Sequence, residues 1–338
     1  MPSLPRIPLA TLPTPYEAAP RLAAALGLRR LHVKREDQSG PAMGGNKIRS
    51  LELLLGAARA EGADTVLTTA ASQSNFCRAL AGTAPRAGLS SHLLLRRAGG
   101  MAETGNLLLM RLFGAHITWT DATDPWDPAI AAALEDQAAV LRATGKRPFI
   151  IQLPGVSAPL AAAAWALAVE EMAEDFAASG SAPDVLALAC GSGLTLAGLA
   201  LGFAHFGLPV RLLGVSVQQP VTRLRPWVAD VVARTAALLG WDATGAMDMV
   251  EITEDQIAPG YARPNAAGLA ALSLAARCEG LVLDPAYTGK ALAGLAAYVM
   301  PGMAAAFLHS GGAPTLFTQA EAVAASLTPI QPDTAQPK

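Results

Sequence analysis

Apolar positions along the chain follow two rhythms that alternate from one end to the other. Short, nearly continuous apolar runs, among them LHVKRE, TVLTTA, HLLLR and HITWT, predict buried strands. Each is followed by a stretch with helical spacing. After LHVKRE, for example, Ile48, Leu51, Leu55 and Ala58 share one face and the pattern stops near Gly62. The second half repeats the scheme: PFIIQL, a helix over about 159–177, DVLALA, LTLAGLALGFAHFG, VRLLGVSV, MDMVEIT, a helix from about Asn265, GLVLD, KALAGLAAYV and AAAFLH. Such alternation predicts parallel sheets flanked by helices, with ligands bound in the loops at the carboxyl ends of strands. The proline-rich first twenty residues and the final TPIQPDTAQPK are expected to pack loosely.

Composition narrows the class of protein. The 338 residues are 52% hydrophobic and 15% charged, enough apolar side chain for about two domains with large cores. LAAAAWALAV, at residues 160–169, is too short for the ~20 residues of a membrane helix, and acidic EEMAED follows it. The N-terminus lacks the basic and apolar regions of a signal peptide. A net charge of −2 gives no reason to expect nucleic acid as a partner. Cys77, Cys190 and Cys278 are too few and too dispersed for a disulfide framework or a metal site. His309, with no second histidine at ligand spacing, reads as structural. A soluble, reduced, cytoplasmic protein without a metal site is expected.

The chemistry gathers in the strand-end loops. GGNKIRSLE delivers Lys47, next to Asn46, to the first turn of a helix, where the macrodipole already presents positive charge. A lysine there is either an ordinary solvated residue or an amine wanted in its neutral, reactive form. ASQSN offers Ser72, Gln73, Ser74 and Asn75 as a receptor for a carboxylate, or as a plain helix cap. CGSGLTLAG brings Gly191, Ser192, Gly193 and Thr195 to a helix start that suits a phosphate. It is no Walker loop, since no lysine follows, and no dinucleotide fingerprint, since Leu196 stands where a third glycine belongs. Tyr261 and Tyr287 lie in turn-like contexts, PGYARP and DPAYTGK, and are expected to face a cleft. An amine, a phosphate cup and a carboxylate seat together match pyridoxal 5′-phosphate, which requires all three.

With these loops in view, the sequence resembles the D-cysteine desulfhydrase and 1-aminocyclopropane-1-carboxylate deaminase family, pyridoxal-phosphate enzymes of the tryptophan synthase β-like fold (fold type II). The resemblance runs nearly end to end, through VKREDQSGPAMGGNKIRSLELLL, GADTVLTTAASQSN, ETGN, CGSGLTLAGLALG, APGYARPNAAG, LVLDPAYTGKALAGL and FLHSGGAPTLF. It implies two parallel-sheet α/β domains, a large one over 1–50 and 160–338 and a small one inserted over 51–159, and a homodimer. By the same resemblance Lys47 carries the cofactor and shuttles the Cα proton. Asn75 meets the cofactor ring oxygen, Gln73 and Ser74 hold the substrate carboxylate, and Gly191, Ser192, Gly193 and Thr195 cup the phosphate. Tyr261 and Tyr287 face the substrate side chain, and Thr288 lies near the pyridine nitrogen.

The chain departs from the family at several of these loops. Phe76 replaces the histidine of Q-S-N-H, Leu194 and Leu196 replace glycine and histidine, and GYARP replaces G-Y-G-x-P. Ser50 stands where a second basic residue usually helps to bind phosphate, so a lysine there is expected to tighten cofactor binding. These differences leave open a changed substrate, weaker cofactor binding or lost activity. The leading expectation is β-elimination from a small β-substituted amino acid, D-cysteine first. The alternatives are cyclopropane deamination, a cysteate-type lyase, or a non-catalytic binder of the cofactor or an amino acid. Thr288, where the deaminase has glutamate, favours simple elimination.

Overall fold

The computed structural model describes residues 4–97, 103–122, 124 and 127–327, so the C-terminal TPIQPDTAQPK lies outside the described residues. Strands and helices alternate as the apolar rhythm requires. The strands are β1 (Tyr16–Ala18), β2 (Arg30–Lys34), β3 (Thr65–Ala71), β4 (Ser90–Arg96), β5 (His116–Thr120), β6 (Pro148–Ile151), β7 (Val185–Cys190), β8 (Arg211–Ser216), β9 (Val250–Thr253) and β10 (Ala304–Leu308). The earlier helices are α1 (Pro20–Ala25), α2 (Lys47–Ala60), α3 (Asn75–Thr83), α4 (Gly105–Leu112), α5 (Pro128–Ala143) and α6 (Ala158–Leu167). They are followed by α7 (Val169–Ala178), α8 (Leu194–His205), α9 (Val221–Leu239), α10 (Ala266–Glu279), α11 (Thr288–Tyr298), α12 (Ala313–Thr318) and α13 (Ala320–Ser326).

Two sheets result, one of order β1-β2-β10-β7-β8-β9 and one of order β5-β4-β3-β6. Every pairing is parallel except that of β1 with β2. Parallel strands are covered on both faces, which is why β10 reads AAAFL and is buried throughout. The strands of the smaller sheet all fall within residues 65–151. The boundary expected between residues 50 and 51 falls inside α2, and the one between 159 and 160 inside α6.

The high alanine content has a packing purpose. Helices α6 and α8 approach so closely that a Cβ on Gly198 would run into the Ala162 carbonyl and the Trp165 side chain, and one on Gly202 into Val169. Alanine along α6 allows that approach, and all ten residues of α8 from Leu194 to Phe203 are buried. Gly198→Ala is therefore expected to lower stability by about 1–3 kcal/mol through overpacking, visible as a lower Tm. An unchanged Tm would mean that the two helices can move apart freely.

An ionic cluster fixes α2 from behind. The Arg49 guanidinium donates to both oxygens of buried Glu36 and to Glu171, and Lys34 lies 2.6 Å from both Glu171 and Asp175. Thr14 joins the cluster, its hydroxyl donating to Glu36 at 2.7 Å. Glu52 holds the N-terminal segment against the same helix, accepting from the Leu9 and Ala10 backbone N–H groups at 2.8 Å and pairing with Arg6. The segment from Arg6 to Thr14 is thus pinned, contrary to the expectation of loose packing.

Other elements also differ from the sequence reading. GLVLD forms no strand: Leu281 and Leu283 are buried among α10, α11 and their sheet without a ladder partner. The helix expected over 159–177 is two helices meeting at Ala168. Helix α9, with Pro226 inside it, has no counterpart in the sequence reading.

Candidate active site

The carboxyl ends of the two sheets line one cavity. Ala189 and Cys190 end β7, Thr69 to Ala71 end β3, Arg96 ends β4, and Ser310 follows β10. Lys47 enters from the start of α2. Gly44 and Gly45 turn the chain into that helix with φ of 57° and 106°, and a Cβ on Gly45 would sit 3.2 Å from the Ser310 carbonyl. Buried Arg78 of α3 donates to the Gly44 carbonyl at 3.1 Å and also to that of Ala42, fixing the approach to Lys47. The Asn46 side chain donates to the Thr195 hydroxyl at 3.1 Å and ties α2 to the start of α8.

Lys47 is half-buried and makes no hydrogen bond or ion pair among the described residues. Loss of water around the amine pulls its pKa from 10.5 down to about 8, against the influence of neighbouring Cys190. Burial pushes the Cys190 thiol up to about 12, so it stays protonated. The helix-start lysine is therefore no solvated surface residue.

Across from it lies the glycine loop. Gly193 has φ 77°, and a Cβ there would stand 2.8 Å from Val228 and 3.1 Å from Leu224 of α9. Gly191 passes close to Tyr287, whose ring a Cβ would meet at 3.3 Å. Trp227 of α9 donates its indole N–H to the Ser192 carbonyl at 2.9 Å. The loop is held from outside, leaving its inner side and the buried Thr195 hydroxyl to the cavity. The Tyr261 and Tyr287 hydroxyls are 2.6 Å apart on the cavity wall, their rings edge to face.

Ser74 and Asn75 also line the cavity. Ser74 caps α3, its hydroxyl oxygen accepting from the Phe76 and Cys77 backbone N–H groups at 3.2 Å, so the plain helix-cap reading holds for its lone pairs. The Asn75 side-chain oxygen accepts from Asn106 at 2.9 Å. Two of the expected site residues lie off the wall. The Gln73 amide donates to the Thr104 carbonyl and accepts from the Asn106 N–H, bracing the start of α4. The Thr288 hydroxyl donates to the Asp284 carboxylate and accepts from the Asp284 N–H, both at 2.7 Å. Burial pushes the Asp284 carboxyl up, although the Ala286, Tyr287 and Thr288 N–H groups and the Thr288 and Thr315 hydroxyls all donate to it.

Ser50 is a correction. It is buried, donates to the Ala161 carbonyl of α6 at 2.8 Å and does not line the cavity. A lysine there would meet the α6 backbone, not the glycine loop, so it is not expected to reinforce phosphate binding. His309 is enclosed, its Nδ1 accepting from the Gly311 N–H. Arg96, Arg223 and Trp227 all line the cavity and were not singled out from the sequence. Arg96 carried a usable signal, because HLLLR ends in a charge at the carboxyl end of a strand.

Comparison with known proteins agrees with this geometry. The pyridoxal-phosphate dependent enzyme family matches residues 7–311. The chain belongs to that family. Pyridoxal phosphate is accordingly its cofactor, and the residues present fit it: a desolvated amine, a glycine cradle that a Cβ would fill, and a hydroxyl at a helix start. D-cysteine desulfhydrase of Salmonella paratyphi B is 40% identical over 330 residues, 93% of this chain and 95% of that one. The enzyme of Salmonella newport is likewise 40% identical over 331 residues, with the same coverage. A crystal structure described as an ACC deaminase homologue superposes with a TM-score of 0.87 at 30% identity, covering 96% of this chain and 97% of that one. O-ureido-L-serine synthase, at 17% identity and a TM-score of 0.66 over 90% of each chain, shares the fold. The fold is thus the fold-type-II arrangement of two parallel-sheet α/β domains. No described helix is long and apolar enough to cross a membrane.

Proposed function

We propose that the protein is a lyase that β-eliminates a small β-substituted amino acid, with D-cysteine, the substrate named for its relatives, as the reference compound. The observation that carries this reading is the Lys47 amine, which lines one cavity with the glycine loop and the Tyr261–Tyr287 pair and is lowered to about 8 by burial. An amine with that pKa is substantially neutral at mildly alkaline pH, as a nucleophile and general base must be. Lys47 would hold pyridoxal phosphate, with the phosphate on the N–H groups of Gly191, Ser192 and Gly193 and the Thr195 hydroxyl. When bound, the cofactor supplies the electron sink for a carbanion at the substrate Cα.

The chain's own groups do the rest. The Ser74 hydroxyl proton and the Asn75 amide would orient the substrate carboxylate, and Lys47, freed by the incoming amino group, would take the Cα proton. Tyr287, held by Tyr261, would stand beside the leaving group. Thr288 would serve the ring nitrogen only by exchanging its contact with Asp284. A homodimer in the cytoplasm suits the family and three free cysteines, two of them buried.

Incubation of the holoenzyme with D-cysteine is expected to release pyruvate, ammonia and sulfide. 1-Aminocyclopropane-1-carboxylate is expected to give no 2-oxobutyrate at a comparable rate, because the chain has Thr288 at the sequence position where the deaminase has a glutamate. Steady 2-oxobutyrate without elimination from any β-substituted substrate would reverse the assignment.

A further inference from the structure

The polarity of one side chain on the cavity wall is decided outside the cavity. Asn75 lines the cleft, and an amide can present either end to a ligand, an oxygen that accepts or an NH2 that donates. Its oxygen accepts from the Asn106 side chain at 2.9 Å, while its NH2 makes no hydrogen bond among the described residues. The donor end is therefore the one left for the cleft.

A chain of three groups holds it that way round. The same Asn106 nitrogen donates to the Gln73 backbone carbonyl at 2.8 Å. A backbone carbonyl can only accept, so it fixes the Asn106 NH2 at this point and turns the Asn106 oxygen away. That nitrogen can in turn meet only an acceptor on Asn75, which cannot turn over without setting NH2 against NH2. Asn106 is fully buried, and its backbone N–H donates to the Gln73 side-chain oxygen at 2.9 Å. Gly105 has φ 58°, and a Cβ there would crowd that oxygen at 2.9 Å, so glycine lets the start of α4 come this close to α3. The Asn106 side-chain oxygen, also buried, has no partner among the described residues. Asn106 thus gives three hydrogen bonds while its own oxygen receives none, a costly choice for a residue that only braces two helices.

We propose that Asn106 is a positioning residue: by holding the Asn75 amide one way round, it makes that part of the wall a fixed donor for an anionic oxygen, either of the bound cofactor ring or of the substrate carboxylate. This rests on the placing of Asn75 at the cofactor or substrate. A donor set in place before binding stabilises the anion without reorganising. An amide free to turn would present its repelling oxygen part of the time.

The test titrates apo-protein with pyridoxal phosphate, and holoenzyme with D- and L-alanine, which have no leaving group, by the change in the cofactor's absorption band. Neither measurement needs turnover, so both stand whether or not the lyase reading does. Asn106→Ala is expected to weaken one of these affinities by about tenfold, the loss of one hydrogen bond to an ionised group. If Asn75 meets the ring oxygen, the cofactor Kd changes and the pH at which its band titrates rises, because the ionised oxygen loses its donor. If Asn75 meets the substrate carboxylate, only the alanine Kd changes. A double-mutant cycle separates positioning from bracing: in an Asn75→Ala background, Asn106→Ala is expected to add a loss of less than about twofold. Should the alanine variant not fold, Asn106→Ser keeps a small polar group in the buried site, and its single proton cannot serve both acceptors. Equal losses from the Asn106 change with and without the Asn75 side chain would make Asn106 a brace and overturn the proposal. So would an Asn106 variant that matches wild type in both affinities while Asn75→Ala does not. If Asn75→Ala itself alters neither affinity, the proposal falls together with the placing of Asn75.

Discussion

Lys47→Ala is expected to abolish covalent attachment of pyridoxal phosphate and to lower turnover by about a thousandfold or more, since one group serves as both nucleophile and general base. The chain is expected to remain folded, because the Lys47 side chain makes no hydrogen bond or ion pair among the described residues. Borohydride reduction of wild-type holoenzyme followed by peptide mass mapping should place the cofactor on Lys47. Lys290 is the informative rival: it is buried too, but it faces the Ile257 and Gly260 carbonyls. An adduct on Lys290, or full activity in Lys47→Ala, would show that the anchor lies elsewhere. Attachment of cofactor to the apo-protein should accelerate as pH rises through about 8 and then level off, well below the 10.5 of an ordinary lysine.

Arg49→Met is expected to cost about 3–5 kcal/mol, because it strands the buried carboxylate of Glu36 and removes the hydrogen bonds to Glu171. The wild-type cluster also carries a signature in acid. Burial alone would raise the Glu171 carboxyl, but Arg49 and Lys34 hold it at about 2, below its usual 4.5. A depressed acid stabilises the native state above its unfolded pKa, so this contribution is lost as pH falls from about 4.5 towards 2. Asp175 is pushed up by burial, so its contribution has the opposite sign and offsets part of the loss. Chemical denaturation of both proteins across that window should show a shallower decline for Arg49→Met. Parallel declines would mean that Glu171 draws its low pKa from Lys34 alone.

Much of this architecture is legible in the residues because two-sided burial of parallel strands leaves an unbroken apolar signature. The same signature misleads at GLVLD, where Leu281 and Leu283 are buried by helices and no strand lies alongside to accept the backbone. Helix α9 hides because Pro226 interrupts it early, yet proline in the first two turns removes few helical hydrogen bonds. At the site, placement that depends on the backbone was readable: the Gly44–Gly45 turn, and Lys47 and the Gly191–Gly193 loop on the cavity wall. Side-chain commitments were not. Gln73 and Thr288 occupy the expected loops, but their polar groups are engaged by Thr104, Asn106 and Asp284, partners brought in by other elements. Arg96 could be flagged as a charge at the carboxyl end of a strand, but nothing local tells whether such an arginine turns inward or reaches solvent.

The order of strands in the larger sheet governs how the enzyme can come into being. Strand β10, the last to be translated, is not at an edge; it lies between β2 and β7. As the chain leaves the ribosome, β2 has only the three-residue β1 beside it until residue 304 has emerged, and so short a pair is not stable alone. The smaller sheet, contiguous over 65–151, can assemble long before. Lys47 and the glycine loop are therefore brought into register only when the message is nearly read through. A product truncated between the glycine loop and β10 would retain both the lysine and the loop, and still lack the strand that joins β2 to β7.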